Sequence, residues 1–97
     1  MVNLPEGITP TSKILHIVQK SKDAFEIFYD EEDSSGDVSF TQIEESFSKI
    51  VEDYKYVMFT SIENRQHSVE CLETGKTWEG ISTEEAEALL KLRNSRR

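Results

Sequence analysis

Cysteine, proline, glycine and tryptophan are all scarce: one, two, four and one in 97 residues. With Cys71 alone, no internal disulfide can form, so packing and hydrogen bonds must hold the fold. A single thiol fits a reducing compartment. No apolar run approaches the roughly 18 residues that read as a bilayer span. The N-terminus lacks the basic-then-apolar pattern of a secretory signal. A soluble, cytoplasmic protein without membrane contact is therefore expected. No internal repeat and no Asn-x-Ser/Thr sequence is present.

Positive charge is also scarce. Eleven lysines and arginines face 19 acids, for a net charge of −8. Four of the bases, Lys91, Arg93, Arg96 and Arg97, lie in the last seven residues, so residues 1–90 carry −12. A polyanion repels phosphates, and direct binding of DNA, RNA or anionic membrane is not expected. The end of the chain, 94–97, reads as a basic tail favoured by the dipole of a preceding helix. A nucleic-acid-touching arm is the sharper alternative. It is the weaker of the two, because no aromatic residue interleaves the bases.

Acid is what the chain has in quantity, and it is concentrated. Between Asp23 and Tyr54 stand Asp23, Glu26, Asp30, Glu31, Glu32, Asp33, Asp37, Glu44, Glu45, Glu52 and Asp53, against the single base Lys49. That stretch carries −10, more than the whole chain.

The length and a hydrophobic content of 36% fit one small domain over 1–97. Residues 1–8 read as an irregular lead-in. Thr9-Pro10 has the form of a helix start, and Ile14, Ile17, Val18 and Ser21 recur at helical spacing, which predicts a helix over 10–20. The run ILHIV is also rich in β-branched residues. A strand paired with the next segment across a Lys20–Asp23 turn is the competing reading. Residues 24–30 predict a strand with alternating aromatics; continuation of the preceding helix through Phe25 and Phe28 is its alternative. Glu31 to Val38 reads as an acidic loop.

The clearest helix follows. Ser39 and Gln42 form a capping box, and Phe40, Ile43, Phe47, Ile50, Val51 and Tyr54 make an apolar stripe over 40–54. Glu44, Glu45, Ser48, Lys49, Glu52 and Asp53 occupy the other face. Strands are then predicted over 56–62, 67–73 and 77–81, separated by a polar turn and a tight Thr74-Gly75 turn. A second capping box, Ser82 with Glu85, opens a helix over 83–93, with Ala86, Leu89, Leu90 and the stem of Arg93 as its inner stripe. Three strands joined by short turns should form an antiparallel meander. The expected architecture is α+β, a mostly antiparallel sheet packed by two or three helices.

Four chemistries suggest themselves. Residues 25–42 resemble an EF-hand: with Gly36 at loop position 6, Asp33, Ser35 and Val38 match positions 3, 5 and 8. Glu31 at position 1 and Gln42 at position 12 depart from the pattern, and Gln42 removes the bidentate carboxylate. The resemblance implies calcium, and the competing reading is an acidic loop before a capped helix. Gly75-Lys76-Thr77 matches the end of a P-loop, but Glu70 stands where its first glycine belongs and a strand follows instead of a helix. A hairpin turn is the better reading. His16, His67 and Cys71 show none of the close spacings of zinc sites, and Cys71 reads as a small core residue.

The fourth is a partner surface. Asp30, Glu31, Glu32, Asp33, Asp37, Glu44, Glu45, Glu52 and Asp53 are the candidate binding residues, set against the plainer reading of a solvated face. The expected function is non-enzymatic: an acidic module docking a basic surface of another protein, in concrete form an inhibitor or regulator of a nucleic-acid-handling protein. A degenerate EF-hand-like module and a structural subunit of an assembly are the alternatives. No catalytic, metal or cofactor residue is assigned. A monomer or weak homo-oligomer is expected.

Overall fold

The computed structural model describes Pro5, Gly7, Ile8, residues 13–29 and residues 33–94. Its elements are β1 (Ile14–Ser21), β2 (Ala24–Phe28), β3 (Ser34–Val38), α1 (Phe40–Asp53), β4 (Tyr56–Ser61), β5 (Gln66–Cys71), β6 (Thr77–Ile81) and α2 (Thr83–Asn94). The strands form one six-stranded sheet in the order β3-β2-β1-β4-β5-β6. Every pairing is antiparallel except the central one, where β1 runs parallel to β4 from Ile14–Tyr56 to Gln19–Ser61. The sheet is thus two antiparallel meanders joined along one parallel seam, in an α+β domain.

The N-terminal segment corrects the expected helix. Residues 14–21 are a strand that turns back onto β2, the pairing across Lys20–Asp23 that competed with it. Thr9 and Pro10, the expected cap, lie outside the described residues. The physical reason is burial on both faces: Ile14, Leu15, Ile17 and Val18 are all buried. A strand covered on both sides loses the alternation that would mark it, and its apolar spacing imitates a helix. Residues 34–38, expected as loop, are a short edge strand against β2. Little in SSGDV favours a strand intrinsically; side chains hold it, with Ser35 Oγ accepting from the Ile27 amide at 2.9 Å.

The rest follows the pattern in the chain. Ser39 Oγ accepts from the Gln42 amide and Gln42 Oε1 from the Ser39 amide, closing the capping box of α1. Asp23, in the β1–β2 turn, adds a carboxylate that accepts from the Phe40 amide at 3.0 Å. Ser82 and Glu85 make the same reciprocal bonds at α2. Residues 71–76 form the tight turn before β6, with the Cys71 amide donating to the Lys76 carbonyl at 2.8 Å and Gly75 at φ +76°. The Gly75-Lys76-Thr77 match is a hairpin.

The two helices lie on opposite faces. Ala86 and Leu89 of α2 pack with Ile8, Ile14, Tyr56, Met58, Val69, Cys71 and Ile81. Ile43 of α1 packs with Leu15, Ile17, Phe25, Ile27 and Val57, and Phe47 joins from the rim. The α1 stripe positions Ile50 and Val51 have side chains outside the description, as does Arg93 in α2. Cys71 is a buried core residue, as expected. Hydrogen bonds from Thr74, first from its side chain, hold the thiol below its ordinary value, while burial shuts it from solvent.

Each helix covers part of its face. Six strands span about 24 Å, at ~4.8 Å per gap; a helix with side chains is about 10 Å wide. α2 packs over β1, β4, β5 and β6 on one face, and α1 over β2, β1 and β4 on the other. Among the described residues, no helix covers β5 and β6 on the α1 side or β2 and β3 on the α2 side. Leu89, 1% exposed, is the centre of the α2 contact. Leu89→Ala should cost about 2–5 kcal/mol, whereas Phe40→Ala, at a residue 52% exposed, should cost less than about 1 kcal/mol. Urea unfolding with an unchanged m-value measures both.

Candidate functional site

The described members of the expected acidic set do not stand on one face of the sheet. Asp30, Glu31 and Glu32 lie outside the described residues. Asp33 sits in the β2–β3 connection, where its carbonyl accepts from the Tyr29 amide at 3.0 Å. Asp37 is on edge strand β3, on the same side of the sheet as Glu26, and is already engaged. Lys20 Nζ reaches Glu26 Oε1 at 2.6 Å and Asp37 Oδ1 at 2.7 Å, and Ser34 Oγ donates to Glu26 Oε2. One ammonium thereby ties together β1, β2 and β3. Glu44, Glu45, Glu52 and Asp53 are exposed on α1, which packs on the opposite side of the sheet. Of the described candidates, Asp37 therefore belongs to an edge clamp and Glu44, Glu45, Glu52 and Asp53 to a helix surface.

The clamp shifts both ends of its main ion pair. Hydrogen bonds to Asp37 and then Glu26 raise Lys20 above its ordinary 10.5. The hydrogen bond from Lys20, and then that from Ser34, lowers Glu26 below its ordinary 4.5. Glu26 is the more enclosed partner, with its side chain 17% exposed against 39% for Lys20 and 72% for Asp37.

Residues 24–38 also lack the geometry that the EF-hand resemblance implies. The segment entering the loop is β2, not a helix, and Gly36 lies within β3. Ser35 donates to the Gly36 carbonyl and accepts from Ile27, so its oxygen serves the strand pairing. Among the described residues, no group of three His, Cys, Asp or Glu side chains is placed to hold an ion. No helix of the described residues is long and apolar enough to cross a membrane.

Around α1 the surface has two parts. Its outer side presents Glu45 and Glu52. Its other side borders a trough of about 500 Å³, floored by Ile17, Val57 and Phe59, walled by Phe40, Ile43 and Phe47, and edged by Glu44, Ser68, Glu70 and Thr77. A polar hollow with Ser61, Gln66 and Glu79 shares Phe59 and Ser68 with it and continues along β5 and β6. This is the part of the sheet beside α1 that the described residues leave uncovered. The alternation of Ser68 and Glu70 against Val69 and Cys71 marks a polar side of β5 in the sequence. α1 packs over β2, β1 and β4 and stops short of that side.

The structure also joins the two histidines. Thr60 Oγ1 lies 2.8 Å from His16 Nε2 and 2.9 Å from His67 Nδ1, and His67 Nε2 lies 3.4 Å from Thr83 Oγ1. The hydroxyl is central because β1 and β5 flank β4, an order that the spacing of His16 and His67 does not reveal. With one proton, the hydroxyl can donate to one imidazole while accepting from the other, which sets complementary tautomers. Thr60→Val should move the imidazole nitrogen shifts of both histidines and cost about 1 kcal/mol, read by NMR and urea unfolding.

The clamp gives a pH prediction. A lowered Glu26 contributes stability above pH 4.5, lost as pH falls through its folded value; a raised Lys20 contributes below pH 10.5, lost as pH rises through its own. Lys20→Met should lower stability at neutral pH and flatten both flanks of the stability–pH curve, measured by urea unfolding across pH. Comparison of the chain with protein-family models, with curated proteins and with solved structures finds no match.

Proposed function

We propose that this protein is a non-enzymatic acidic binding module that docks a basic surface of a partner protein. Its most concrete form is a small inhibitor or regulator occupying a nucleic-acid-binding surface. The same reading makes it a cytoplasmic protein, monomeric or weakly self-associating.

The observation that carries it is where the acids of α1 stand. A helix is stabilised by acids in its first turn and bases in its last. α2 follows this rule, with Glu84 and Glu85 in its first turn. α1 reverses it: its first turn has no acid, its last turn has no base, and Glu52 and Asp53 sit at the negative end of the dipole. Asp23 must reach across from a turn to serve the first amide. The dipole therefore does not account for Glu52 and Asp53, although Lys49 stands four residues from both Glu45 and Asp53, and local rules broken in one element are expected where function asks for it. Lys13 and Lys55 line the cleft beside Glu52 and Asp53 and offset part of that charge. The midsection around Glu44 and Glu45 carries the field outward.

A negative surface of this kind speeds encounter with a basic one and makes affinity depend on salt. The full chain, immobilised, should retain basic proteins from a cell extract at low salt and release them as salt rises. Duplex DNA should compete them off. Glu44→Lys together with Glu45→Lys should abolish retention with the fold intact by circular dichroism. Equal retention by the charge-reversed chain would reduce the acidic surface to a solubilising role.

A further inference from the structure

We infer that the trough beside α1 seats a basic amphipathic helix of the partner, laid along the sheet over β5 and β6. This rests on the acidic-module reading and says how such a partner is held.

A single helix cannot cover the sheet on the α1 side. Because α1 packs over β2, β1 and β4, the strip that the described residues leave uncovered over β5 and β6 spans about two strand gaps, roughly 10 Å, which is close to the width of a helix. That remainder has the width of one more helix, which would lie beside α1 and complete the layer. Its inner boundary is apolar, with Phe47 and Phe59 partly buried and Phe40 half exposed. Phe40 is the more telling of these. It is the first residue of α1, its ring lies 5.9 Å from that of Phe25, and half of its surface still faces solvent. Large aromatics left open beside a concave apolar surface are the usual anchors of an interface.

Charge selects the occupant. Among the described residues lining the trough and the hollow that continues it, Glu44, Glu70 and Glu79 carry negative charge, and no lysine or arginine is present. A second copy of this chain would bring a net charge of −8 and the acids of its own α1 against these carboxylates, which like-charge repulsion opposes. An anionic lipid or nucleic acid is opposed for the same reason. A helix with leucine-like residues on one face and lysine or arginine along its flanks satisfies both the apolar seam and the acidic rim.

The test uses the full chain, labelled with nitrogen-15, and three synthetic helical peptides. One carries leucines on one face and lysines on the other. The second replaces the lysines with glutamates, and the third replaces the leucines with serines. Only the Lys/Leu peptide should bind, shifting amides over 40–47, 57–59, 66–70 and 77–79. Phe40→Ser and Ser68→Arg should each weaken it about tenfold or more. Equal binding of the Lys/Ser peptide would overturn the inference, since charge alone would suffice. So would shifts confined to the outer side of α1, or a dimer in sedimentation that Phe40→Ser dissolves. Glu45→Lys with Glu52→Lys separates the two readings. If it abolishes peptide binding while Phe40→Ser and Ser68→Arg leave it unchanged, the acidic module stands and the trough fails. If none of the peptides binds while basic proteins are still retained through Glu44 and Glu45, the outcome is the same.

Discussion

The parallel pairing of β1 with β4 is the contact on which the rest of this protein depends. It joins residues about forty positions apart in the chain, from Ile14 with Tyr56 to Gln19 with Ser61. Everything on one side of it, β2, β3 and α1, is local to β1. Everything on the other, β5, β6 and α2, is local to β4. Leu15 and Met58, at 0% exposure, lie on its two strands and face opposite layers. Losing this seam would separate two meanders, neither of which buries both faces of its own sheet. A contact that closes so long a loop is entropically costly, and apolar burial on both faces of β1 offsets that cost.

The arrangement has consequences at its edges. An open sheet presents unpaired backbone groups at its outermost strands. Both edges here contain a glycine in the left-handed region, Gly36 in β3 at φ +71° and Gly80 in β6 at φ +69°. Both sit beside interruptions of register. Such irregularities twist an edge away from flat pairing. The β3 edge is further occupied by the Lys20 clamp, which places ionised groups from three strands on one surface. Neither edge offers a long, flat strand for addition by another chain. Among the described residues, the surface left uncovered is accordingly on the faces of the sheet rather than at its edges.

That face is where charge and apolar area meet. α1 is well capped at its start, through Ser39, Gln42 and Asp23, and carries its acids toward its middle and end. The same helix presents its apolar stripe partly to the core and partly to the trough. Two properties that stability alone would separate, exposed aromatic area and exposed acid, therefore occur side by side around Phe40 and Glu44.

The elements with local signatures were legible in the chain. Capping boxes at Ser39 and Ser82 announced both helices, because their bonds join residues three apart. The β4–β6 meander was marked by short turns and by alternation of Ser68 and Glu70 against Val69 and Cys71. β1 has the apolar spacing of a helix because burial on both sides removes the alternation that marks a strand, and β3 has the composition of a loop because SSGDV takes its strand character from Ile27 and Lys20. The density of acid was plain, but its division was not: Asp37 belongs to a clamp and Glu44 to a trough rim, and only the side of the sheet on which each stands separates them. By itself the sequence determined composition, charge and every element whose hydrogen bonds are local. The tertiary structure decided the parallel seam, the meeting of His16 and His67 at Thr60, and the part of the sheet beside α1 that the described residues leave uncovered. Each of those depends on which strands are neighbours, and strand order is set by long-range burial that no short stretch of residues contains.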